Sequence, residues 1–213
     1  MRHRSLAAAL LRVASEASDC PLVSIEDAAI VDFSRLRVLD TDSFSPISKR
    51  LRRSPYYCVS SFRPDMESGL QFEPNHFNVN LERTSFPDAL FDVVVTSDVM
   101  EHVRDIDAAH AEVSRILKPG GYYVFTVPYD ENCKTHHTLV ETCGPVDRFL
   151  VPPQYHGDPL TGGILAYRVF GRALFSDLER VGFEVEFFRV SDSSALIIDG
   201  DVFIARKRAP TNE

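Results

Sequence analysis

The chain has 213 residues, 44% hydrophobic and 25% charged, with a formal net charge of −8. This is the composition of a globular chain of one domain, 1–213, long enough to bury a core without disulfide or metal staples. The acidic balance argues against a nucleic-acid binder, which needs a basic surface matched to phosphates, and no apolar run reaches the ~18 residues of a membrane span.

The first segment, 1–30, is expected to be helical. Leu6, Leu10, Val13, Ala14 and Ala17 fall on one helix face. Arg2 and Arg4 ahead of Leu6–Leu11 have the look of a secretory signal, but Arg12 breaks the run and Glu16 and Asp19 follow. An amphipathic helix is therefore the better reading. Arg37–Asp40 is a short strand. Ser45-Pro46 then opens a helix, because Ser caps well and Pro suits the first turn. The basic run Lys49-Arg50-Leu51-Arg52-Arg53 falls here and reads as a solvated helix face.

Tyr56–Ser60 and His76–Val79 are strand-prone. Phe91–Thr96 is rich in Val, as suits a parallel strand covered on both faces. Asp105–Leu117 is the clearest helix. Ile106, Ala109, Val113, Ile116 and Leu117 form one stripe, Asp105 can cap it, and Lys118-Pro119-Gly120-Gly121 stops it. Tyr122–Val127 is a strand. Phe175, Leu178 and Val181 mark a late helix ending at Gly182. Phe183–Val190 and Asp201–Ala205 are closing strands, with a tight turn expected at Asp199-Gly200. Strands alternating with helices predict a parallel α/β sheet, and the closing pair predicts an antiparallel tail. Residues 128–170 show few periodic signals and read as an irregular lid or substrate loop.

Several side chains carry chemistry. Asp98, Glu101 and His102 follow the strongest strand. Asp98 and Glu101 have the spacing of a capping box, while Asp98 and His102 also suit a proton acceptor. Tyr129, Tyr155, His156 and Asp158 lie where a loop can cover a substrate, although Gly157-Asp158-Pro159 is a turn in any context. Asp40 either caps its own loop or orients a ligand amine. Cys20, Cys58, Cys133 and Cys143 suggest reduced thiols in a cytoplasmic protein. Cys133, His136, His137 and Cys143 lack a usual zinc spacing, so a polar loop and no metal are expected. No Gly-x-Ser-x-Gly elbow, phosphate loop or His-Glu-x-x-His is present.

The stretch Phe86–Pro128 reads FPDALFDVVVTSDVMEHV, then a helix, then RILKPGGYYVFTVP. It resembles the middle of the class I S-adenosylmethionine-dependent methyltransferases, type 11-like. The loop Gln154–Pro159 is similar to a segment of some members. The resemblance implies a Rossmann-like, seven-stranded, mostly parallel sheet with helices on both faces and an antiparallel C-terminal strand. It implies methyl transfer from S-adenosylmethionine to a small-molecule or sugar-like acceptor. The cofactor contacts it implies are Asp40, Thr41, Asp42, Ser61, Asn80, Leu81 and Ser97, with Asp98 and His102 catalytic. Two departures stand out. The loop Asp40–Pro46 contains no glycine, the first in the chain being Gly69, and Ser61 stands near where the family places a ribose-binding acid. They motivate an alternative: a catalytically inactive methyltransferase-fold binding protein, with a homodimer or protein partner covering 128–170.

Overall fold

The computed structural model describes residues 2–18, 36–144, 146–157, 163–192 and 197–209. Helix α1 spans Arg2–Ser18, and Leu6, Leu10, Val13 and Ala14 are buried as the pattern requires, while Ala17 is exposed. Strand β1 is Val38–Asp40. Helix α2 is Pro46–Leu51; Ser45 Oγ accepts from the Ser48 amide, and Lys49 and Arg50 face solvent. Strands β2 (Tyr57–Ser61), β3 (Gln71–Glu73) and β4 (His76–Asn78) follow.

Strand β5 is Phe91–Ser97, buried at every position but Asp92. A 3-10 turn at Met100–His102 leads to helix α3, Ile106–Ile116, capped by Asp105. Strand β6 starts at once, Leu117–Thr126. Pro119 and Gly120 therefore lie inside β6, where the pairing with β5 shifts register and Gly120 takes a φ of 78°. A Cβ on Gly121 would lie 2.9 Å from the carbonyl oxygens of Asp92 and Lys118, so only glycine fits. Helix α4 is Ala173–Arg180, and strands β7 (Phe183–Asp192) and β8 (Ile197–Lys207) close the chain.

The sheet order is β7-β8-β6-β5-β1-β2-β4-β3. The β4-β2-β1-β5-β6 block is parallel, and β8 and β7 add antiparallel. Among the described residues the sheet has eight strands where seven were expected, the extra one being β3, hairpin-paired to β4 at the edge. Asp199 and Gly200 lie within β8, with Gly200 opposite Val190, so the expected turn there is instead ladder.

Alternation along each strand splits the core into two layers. Val38, Val93, Val95, Tyr122, Val124, Val202 and Ile204 face α1 and α2. Leu39, Val94, Tyr123, Phe125 and Phe203 face α3 and α4. Residues 128–170 are less irregular than expected. They hold small antiparallel ladders pairing 137–138 with 168–169, 140–141 with 148–149, and 155–156 with 164–165. No described helix is long and apolar enough to cross a membrane.

Candidate active site

The parallel strands share one carboxyl edge, where they end at Asp40, Ser61, Asn78, Ser97 and Thr126. Open α/β sheets bind ligands along that edge, where the strand order reverses. Here the reversal lies between β1 and β5, so the loops after these two strands form the candidate site.

The loop after β1 is held by its own side chains. Asp40 is 2% exposed; Tyr57 Oη donates to its Oδ2 at 2.5 Å and the Asp42 amide to its Oδ1 at 2.9 Å. Burial pushes its carboxyl up to about 7, with the two donors pulling the other way. The Phe44 amide donates to Asp42 Oδ1, and the Ser45 amide to the Asp42 carbonyl. The amides of 42, 44 and 45 are thus spent on the turn, and Phe44 is 81% exposed. The Thr41 amide donates to Val95, and the Thr41 hydroxyl is buried with no partner among the described residues. The Ser97 hydroxyl at the end of β5 shares that condition.

Ser61 sits at the end of β2, its Oγ 3.2 Å from Ser43 Oγ and 2.9 Å from His76 Nε2. Asn80 Oδ1 accepts from the Glu82 amide in a tight turn. Leu81 is 6% exposed and packed in the α3 layer, while its amide has no hydrogen bond to the described residues.

Asp98 follows β5 in a left-handed conformation, φ 48°, unusual for a residue with a Cβ. Its amide donates to the Thr126 carbonyl, and Thr126 Oγ1 donates to its Oδ1 at 2.8 Å. The 3-10 turn behind it, Met100–His102, has Val99 at its N-cap and no side-chain cap, so the expected capping box at Asp98 and Glu101 is not formed there.

Glu101 is fully buried. Its Oε1 is 3.7 Å from His102 Nε2 and 3.8 Å from His156 Nδ1. The two imidazoles meet edge to face at 5.5 Å between centroids. His102 Nδ1 lies 2.8 Å from the Leu165 carbonyl, which can only accept, so Nδ1 carries the proton and Nε2 the lone pair. Burial holds this imidazole below its ordinary range, the Leu165 bond opposing. His156 and Leu165 come from the two strands of one small ladder, so that hairpin completes the cluster.

Arg168 ties the same region down. It is 8% exposed and donates to the carbonyls of Met100, Val103 and Arg104. The Tyr167 amide adds a bond to the Glu101 carbonyl.

The remaining expected residues lie elsewhere. Tyr129 is partly buried and packs its ring against Phe175, Phe187 and Phe203. Tyr155 is 57% exposed on the His156 hairpin. Asp158 lies outside the described residues, as does Cys20. His136 joins Asp177 at 2.7 Å, while Cys133 Sγ meets His137 Nε2 at 2.7 Å, so the histidines of the Cys/His stretch take separate partners. The capping-box spacing points to Glu101 as a helix cap; the structure instead sets it against His102 and His156, a pairing for which the adjacent acid and histidine, with a second His in the loop, are the sequence signal.

A family model described as a methyltransferase domain matches residues 50–125. Over 66 residues the chain is 38% identical to the dimethylglycine N-methyltransferase of Parasynechococcus marenigrum, covering 31% of this chain and 24% of that one. Over 88 residues it is 38% identical to the ubiquinone/menaquinone biosynthesis C-methyltransferase UbiE of Shewanella halifaxensis, covering 41% of this chain and 34% of that one. The chain spans about a third or less of the length of the curated relatives it matches. Its fold is shared with an S-adenosylmethionine-dependent methyltransferase structure from Mesorhizobium loti. That likeness has a TM-score of 0.52 at 20% identity and covers 81% of this chain and 91% of that one. The methyltransferase-domain match over residues 50–125 thus lies on a sheet that shares its fold with an S-adenosylmethionine-dependent methyltransferase structure.

Proposed function

We propose that this chain transfers a methyl group from S-adenosylmethionine to a small-molecule acceptor at the β1–β5 edge. One observation carries the reading. The buried hydroxyls of Thr41, just past β1, and Ser97, at the end of the neighbouring β5, have no partner among the described residues. Burying such groups without a hydrogen bond is costly, so a polar ligand is what they fit. The Leu81 amide, with Asn80 beside it, suits the edge of an adenine. Asp40 and Ser61 are engaged by the protein itself, which reduces what the β1 loop offers to the rest of the cofactor.

When bound, S-adenosylmethionine supplies an electrophilic methyl on a sulfonium. The protein then has to align an acceptor and remove its proton. Asp98, fixed by Thr126, and the Nε2 of His102 are the proton acceptors on that side. Tyr155 and His156 lie on the covering hairpin, and residues 128–170 would act as the lid. The dimethylglycine and quinone-pathway relatives support an acceptor of small-molecule size.

Calorimetric titration with S-adenosylmethionine and S-adenosylhomocysteine tests the reading. Micromolar binding supports it, and Asp98→Ala should then lower turnover by about 10²- to 10⁴-fold at unchanged S-adenosylhomocysteine affinity. Absence of binding up to millimolar concentration, in folded protein, overturns it.

A second reading is a catalytically silent binding subunit. The self-satisfied β1 loop and an exposed apolar run favour it: Val146 is 79% exposed, Phe149 47% and Leu150 45%. It predicts no cofactor binding, together with an association that buries residues 146–151.

A further inference from the structure

We propose that Glu101, His102 and His156 form a binding site for one divalent transition-metal cation. Their ligand atoms lie within 4.8 Å of one another, with Glu101 Oε1 at 3.7 Å from His102 Nε2 and 3.8 Å from His156 Nδ1. Both separations exceed a hydrogen bond. They are close to the ~3.4 Å that separates two tetrahedral ligands each bound at ~2.1 Å from one cation.

The arrangement is prepared for a metal in three further respects. The Leu165 carbonyl holds the Nδ1 proton of His102, which turns the Nε2 lone pair toward Glu101. Glu101 is fully buried, so its carboxylate is shielded from water and its charge is little screened. The cluster is open on the His156 side, whose side chain is 41% exposed, so coordination positions remain for an oxygen ligand. Two imidazoles and one carboxylate without a thiolate select Zn²⁺, Fe²⁺, Co²⁺ or Mn²⁺ over Ca²⁺ and Mg²⁺.

The site lies four to five residues past the end of β5, on the ligand-binding edge of the sheet. The ligand completing the coordination is assigned by the same chemistry to an oxygen-bearing molecule, such as a hydroxyl or carboxylate compound. With a cation bound, Nε2 of His102 is spent on the metal. The cation, rather than a histidine base, then lowers the proton affinity of a coordinated hydroxyl.

Metal-stripped full-length protein titrated with Zn²⁺ alone, and with Co²⁺ followed by visible absorption, tests the proposal without any use of S-adenosylmethionine. The expected result is one bound ion, Co²⁺ ligand-field bands without a thiolate charge-transfer band, and affinity at least tenfold weaker in His156→Ala and Glu101→Gln. His156 is on a partly exposed hairpin, so His156→Ala should keep the melting temperature of the metal-free protein even if Glu101→Gln does not fold. The exposed Asp130, Cys133 and His137 group is the competing site. Full affinity retained in His156→Ala, loss of binding only in His137→Ala, a thiolate band, or no binding at all would each overturn the proposal. Metal binding with no S-adenosylmethionine binding would uphold this site and sink the methyl-transfer reading alone.

Discussion

His110 is a buried histidine on α3, 2% exposed, and neither ring nitrogen has a hydrogen-bond partner among the described residues. Burial drives its imidazole down to about 4 from 6.5, against Asp177, while Arg168, His136 and Arg180 add to the lowering. The fold therefore holds it neutral. Between pH 6.5 and 4 the unfolded chain takes up a proton that the folded chain refuses, so stability falls as pH falls through that window. His110→Leu removes this acid-side loss. At pH 7.5 the variant should be neutral or up to about 1 kcal/mol more stable, since no hydrogen bond is lost. Urea unfolding of both proteins at pH 7.5 and 5 decides it. An equal loss of stability in the two on acidification would refute the assignment. The sequence placed His110 on the buried stripe of α3, four residues after Ile106 and three before Val113, but gave no sign that both ring nitrogens would lack a partner among the described residues. The packing of α4, with Asp177 and Arg180, and of the segments carrying His136 and Arg168 sets the charged groups around it.

Elements follow local rules more closely. Asp105 was legible as a cap, and its carboxylate accepts from the Ala108 amide at 3.0 Å. Asp105→Ala should cost about 1 kcal/mol, seen as a melting shift of about 2–4 °C in a chain of this size. A shift below the error of the scan would show that the Glu82 carboxylate, which accepts from the Asp105 amide, already holds the turn. Lys118-Pro119-Gly120-Gly121 was legible as a break but not as a bulge. Its meaning depends on β5 alongside, where Lys118 Nζ donates to Asp92 at 2.7 Å and 2.9 Å. The Asp199-Gly200 pair has the composition of a turn, yet β7 and β8 run past it because the ladder satisfies more backbone groups than a turn would.

Across the whole molecule, the piece between β6 and α4 is attached to the sheet by Arg168. Its guanidinium reaches three carbonyls of the 100–104 segment, at 3.2, 2.5 and 3.0 Å. Arg168→Met keeps the apolar stem but removes the donors, and should cost about 2–4 kcal/mol in denaturant unfolding. The same change should loosen the Glu101 turn, so metal affinity should fall with stability. A variant as stable as the wild type would show that Tyr167 and the ladders hold this piece without it.

Periodicity and caps determined most of the strand and helix plan and the buried face of α1, because these are set by local spacing and by the handedness of crossovers. The stretch 86–128 also carried the methyltransferase resemblance, since its strand, turn and helix are contiguous in the chain. The tertiary structure decided the rest. It spent Asp40 on Tyr57, packed the half-buried Tyr129 against Phe203, and brought His156 across more than fifty residues to Glu101 and His102. Such contacts depend on which hairpin docks on which turn, and that is settled by packing and buried hydrogen bonds between segments remote in sequence.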